Sequence, residues 1–80
     1  MNAASAKKDF ASAQLELFAI RCSELAERVV AGNIAFINAV DMAYSAAEWA
    51  GLIDAVGDDA VQKVMAAAFI NTPRGRDEAP

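Results

Sequence analysis

The chain has 80 residues, 56% of them hydrophobic and 22% charged, with a formal net charge of −4. That length predicts one small domain with a modest core. One cysteine, Cys22, and no histidine exclude an intrachain disulfide and a Cys/His metal centre, and remove the commonest general base.

Charge is unevenly spread. Between residues 9 and 71 the acids are Asp9, Glu16, Glu24, Glu27, Asp41, Glu48, Asp54, Asp58 and Asp59, against Arg21, Arg28 and Lys63. The other bases, Lys7, Lys8, Arg74 and Arg76, sit near the ends. An acidic body is a poor nucleic-acid binder, because phosphate recognition needs clustered cations; it suits a protein partner with a basic surface. No apolar run approaches the ~20 residues of a membrane span, and the first ten residues lack the apolar segment of a secretory signal, so the expected location is the cytoplasm.

Residues 1–8 read as a flexible leader. A first helix is expected over residues 9–31, with Asp9 at its N-cap or in its first turn. At 100° per residue, Leu15, Phe18, Cys22, Leu25, Ala26 and Val29 share a face. Gln14, Arg21, Glu24 and Arg28 lie opposite. Leu17 and Ile20 fall outside the apolar arc and form a minor candidate surface surrounded by Glu16, Glu24 and Glu27. Gly32 supplies a left-handed stop.

A second helix is expected over residues 33–50. Asn38, Asp41, Ser45 and Glu48 form a narrow polar stripe. Phe36, Ile37, Val40, Ala43, Tyr44 and Ala47 make one apolar face, and Ala35, Ala39, Met42, Ala46 and Trp49 make another. A helix apolar over most of its circumference is either central in the bundle or presents a face to another protein. Met42 and Trp49, two turns apart, stack on one side, and Ile53 extends the row if the helix continues. These three, with Asp41 and Glu48 from the stripe, are the candidate partner-binding residues, Trp and Met being common at interfaces. Core packing is the competing account of the same row.

Residues 49–57 read WAGLIDAVG, a string similar to the LAGLIDADG signature of homing endonucleases. That resemblance implies a metal-binding acid at the penultimate position, which here is Val56; valine cannot ligate Mg²⁺. The structural reading is a helix stop at Gly51 followed by Leu52, the order of a Schellman cap. Ser45 and Glu48 also have capping-box spacing, so residues 45–56 either continue the second helix or form a separate one. A last helix is expected from Asp58 or Asp59 to about residue 70, with Asp59 and Gln62 as a capping box and Val61, Val64, Met65 and Ala68 facing inward, flanked by Phe69. Residues 72–80, with Pro73 and Gly75, read as a disordered tail. No strand pattern is present. The expected fold is an all-α bundle of three helices, or four, joined by short glycine turns.

Little catalytic equipment is left. Cys22 on an inner face reads as a buried thiol and not a nucleophile. Asp54, Asp58 and Asp59 lack the spacing of a calcium loop, and two acids at a helix start are favourable without any metal. The expectation is a binding protein and not an enzyme, with no cofactor.

Residues 32–69, GNIAFINAVDMAYSAAEWAGLIDAVGDDAVQKVMAAAF, resemble the QseM-like antiactivators of proteobacterial integrative and conjugative elements. The likeness lies in order, length and helix–turn pattern, over roughly half of the chain. It implies an antiactivator in quorum sensing that binds transcriptional activators, a LuxR-type TraR-like regulator and an FseA-like activator of excision and transfer, and so represses conjugation by protein contact without binding DNA. It transfers no interface residues. The rival expectation is a self-associating structural helical module with the second helix as seam. A minimal helix-turn-helix DNA binder is a third reading, opposed by Lys63 being the only base of the last helix.

Overall fold

The computed structural model describes residues 3–72, with side chains described from Phe10 onward. Four helices follow one another: α1 Ala3–Val30, α2 Phe36–Trp49, α3 Leu52–Val56 and α4 Asp58–Phe69. Every regular element among the described residues is a helix, and none is long and apolar enough to cross a membrane.

The expected first helix starts too late. α1 begins at Ala3, so Asp9 lies inside the helix and not at its cap, and residues 3–8 are helical backbone where a leader was expected. The reason is local propensity: Ala and Lys dominate that stretch and are among the best helix formers. At the other end the stop is as read. Gly32 has φ 83°, its N–H donates to the Val29 carbonyl at 2.9 Å, and the Asn33 N–H donates to the Arg28 carbonyl at 2.9 Å. Together they make a complete Schellman motif. Because Asn33 is used to close α1, α2 cannot begin there; it starts three residues later, from an extended Ala35 without a side-chain cap.

Gly51 resolves the open question at residues 45–56. It is left-handed, φ 71° and ψ 17°, and its N–H donates to the Glu48 carbonyl at 3.0 Å. The second helix therefore stops, Ser45 stays within it, and α3 is a separate single turn of chain before Gly57. Gly57 is both the end of α3 and the N-cap of α4. The Asp59–Gln62 capping box is thus displaced: Asp59 is the second helical residue and makes no cap.

The core lies where α1 runs against α2 and α4, with α3 filling one end. Phe18, Cys22, Ala26 and Val29 come from α1, Leu52 from α3, and Val61, Met65 and Phe69 from α4, close to the faces read from spacing. Each large side chain buried in this way contributes about 2 kcal/mol relative to exposure. On α2 the expected face is kept except at Ile37, which is exposed: Ala43 and Ala47 are buried, Phe36, Val40 and Tyr44 pack partly buried against the core, and Ala39 joins the buried set from the other arc. The buried stripe is made of the smallest side chains, which lets the α2 backbone approach its neighbours closely. Phe36 sits at the margin and packs edge-on against Phe69, ring centroids 5.8 Å apart. Thr72, expected in the tail, is buried, and its N–H donates to the Phe69 carbonyl at 3.1 Å. The rest of the expected tail lies outside the described residues.

Candidate functional site

With Ala39, Ala43 and Ala47 turned inward, the opposite arc of α2 faces out. The polar stripe of Asn38, Asp41, Ser45 and Glu48 is exposed, as a solvated face requires. Beside it, Met42 is 48% and Trp49 is 91% exposed. The core account of the Met42–Trp49 row therefore does not hold. Trp49 is the last residue of α2, and the left-handed Gly51 turns the chain away before α3 can cover the indole.

Ile53 parts company with this row. It belongs to α3 and is half-buried against the core. The row extended to Ile53 only if one helix ran through residue 51, and Gly51 ends it. Of the five candidate residues, Asp41, Met42, Glu48 and Trp49 thus share the exposed side of α2, and Ile53 is a packing residue.

The minor candidate surface on α1 comes next to the major one. A groove of about 460 Å³ runs between α1 and the end of α2, with Leu17, Phe18 and Arg21 on one wall, Ala46 and Trp49 on the other, and Leu52 at its base. Leu17 and Ile20 are each 55% exposed, so an apolar surface continues from the indole across the groove onto α1. Neither helix shows this alone; the signal is the pairing of Leu17 with Trp49, on two consecutive helices. Arg21, one of three bases in the acidic body, lies at the groove. A second hollow, about 420 Å³, lies at the far end of α1 between Glu27, Val30 and Ala31 on one side and Ala68, Asn71 and Thr72 on the other.

One polar contact escaped the sequence reading. The Tyr44 hydroxyl donates to an Asp58 carboxylate oxygen at 2.7 Å, tying α2 to the start of α4. Its hydrogen bond to Asp58 comes first among the causes that raise the Tyr44 phenol above its ordinary pKa, followed by burial and the negative charges of Asp58 and Glu48. Asp58 is thereby occupied as an acceptor within the fold. Among the described residues no three Cys, Asp or Glu side chains gather as a metal site. Cys22 is fully buried, and burial pushes its thiol up to about 11. It is held as the neutral thiol, the weaker nucleophile.

No known protein family, curated protein or solved structure matches this chain.

Proposed function

We propose that this chain is an antiactivator in the manner of the QseM-like proteins: it binds a transcriptional activator through the outer side of α2 and blocks it, so repressing transfer of an integrative and conjugative element. The implied partners are a LuxR-type, TraR-like regulator and an FseA-like activator, met in the cytoplasm by protein contact, without DNA, cofactor or catalysis. The observation that carries the reading is Trp49, 91% exposed at the end of a helix whose other side is core. Trp is enriched among the side chains that anchor interfaces, and contiguous exposed apolar surface marks binding sites.

Asp41 and Glu48 flank Met42 and Trp49 and supply negative potential toward a basic activator. Such rim charges act chiefly on the encounter rate and its salt dependence; the apolar pair carries the affinity.

The test is a pull-down with the full chain from cells expressing each candidate activator, after nuclease treatment. Recovery of the TraR-like or FseA-like protein by the wild type, and its loss with Met42→Ala and Trp49→Ala at unchanged helix content, is the expected result. Recovery of neither activator contradicts the proposal.

A further inference from the structure

We propose that the outer face of α1 is a self-association seam on which a second copy of this chain lies, helix parallel to helix. The proposal does not rest on the activator reading.

The first observation is a thinly covered length of helix. Among the described side chains, those that α1 buries begin at Phe18 and continue through Cys22, Ala26 and Val29. From Phe10 to Leu17, about 12 Å of helix, every side chain is exposed or only partly covered, and of the apolar ones Leu15 packs against the core. Within it and just beyond, Phe10, Ala13, Leu17 and Ile20 are all exposed, at 66% for Phe10 and 55% each for Leu17 and Ile20. Their spacing of three and four is the a/d repeat of a coiled coil. The stripe lies on the side of α1 away from the face it gives to its own core, with Leu17 at the rim of the groove shared with α2. It ends at Ile20, because Glu24 and Glu27 take the next two seam positions.

The second observation is charge, and it selects the occupant and its direction. In the register set by Phe10 and Leu17, Glu16 occupies a g position and Gln14 and Arg21 occupy e positions. In a parallel pair each g residue faces the e residue five positions on in the other helix. Glu16 of each copy then meets Arg21 of the other, twice by symmetry. In an antiparallel pair, g faces g and Glu16 meets Glu16. At these flanking positions the charges match in the parallel arrangement and clash in the antiparallel one, and Glu24 and Glu27, which would each face their own copy, make the two helices diverge beyond Ile20.

The experiment is sedimentation equilibrium of the full chain over a wide concentration range, for the wild type, Leu17→Glu, Glu16→Arg, Arg21→Glu, and an equimolar mixture of the last two. All altered positions are exposed, and circular dichroism confirms that each variant keeps its helix content. Wild type is expected to associate with rising concentration and Leu17→Glu to stay monomeric. Glu16→Arg and Arg21→Glu each place like charges across the seam and weaken association. Their mixture restores both opposite-charge pairs in the mixed dimer, which should form on the order of tenfold more tightly than either variant self-associates. A wild type that is monomeric throughout overturns the seam. A mixture no tighter than its components, while wild type associates, overturns the parallel pairing, and with it the proposal.

Discussion

At the scale of single residues, three positions hold the fold by properties that spacing alone does not reveal. Gly57 has φ 93° and ψ 152°, a region open essentially to glycine only. A Cβ there would meet no atom within 4 Å, so the cost of a side chain is conformational and not steric crowding. Gly57→Ala is expected to destabilise by about 1–3 kcal/mol, read as a lower midpoint in urea with unchanged slope; a midpoint equal to wild type would show that the turn relaxes freely. Cys22 and Tyr44 act through their protons. The Cys22 thiol is raised from 9.0 to about 11, and the Tyr44 phenol is raised as well. In both the folded state favours the protonated form, so their contribution is complete below the unfolded pKa and fades as pH climbs through the folded one. Thermal stability should therefore hold from neutrality to about pH 9 and fall on the way to about pH 11. Cys22 should ignore a disulfide reagent at pH 7 until denaturant is added; prompt modification of the native chain would contradict its burial.

At the scale of elements, most of the architecture was legible because the cues were local. The inner face of α1 follows from the period of Phe18, Cys22 and Val29, and Gly32 and Gly51 mark their stops because only a residue without Cβ takes a left-handed turn at no cost. The last helix was likewise fixed by Val61 and Met65. On α2 the wheel misplaced two residues: weighted by hydrophobicity it turns Ile37 inward and Ala39 to the far arc, yet Ala39 is buried with Ala43 and Ala47 and Ile37 is exposed, while Phe36, Val40 and Tyr44 pack against the core as expected. The early start of α1 was missed for a related reason, since Ala and Lys carry helix propensity without an apolar signature. The alanine stripe yields its own expectation. Ala43→Leu should overpack the core beneath α2 and cost about 1–3 kcal/mol, whereas Ala46→Leu, on the exposed side, should leave thermal stability near wild type. Equal stability of the two variants would place α2 farther from its neighbours than its burial pattern implies.

At the scale of the whole molecule, the chain divides its surface by chemistry. One side of α2 is core, its outer side carries Met42 and Trp49 between carboxylates, and a groove joins that side to Leu17 and Arg21 of α1. The candidate residues on α2 could be read from seven-residue spacing, but the decision between core and interface could not: it depends on which alanines turn inward and on the break at Gly51, both set by tertiary packing. The joining of the two candidate surfaces was likewise invisible until α1 and α2 were placed side by side. The central claim is that this outer side binds an activator, and calorimetric titration of a purified TraR-like or FseA-like activator into wild type and Trp49→Ala, without DNA, tests it most directly. The account predicts binding by wild type and a loss of at least about tenfold in affinity for Trp49→Ala, with the thermal unfolding midpoint unmoved. No binding by wild type, or equal binding by both, would contradict it.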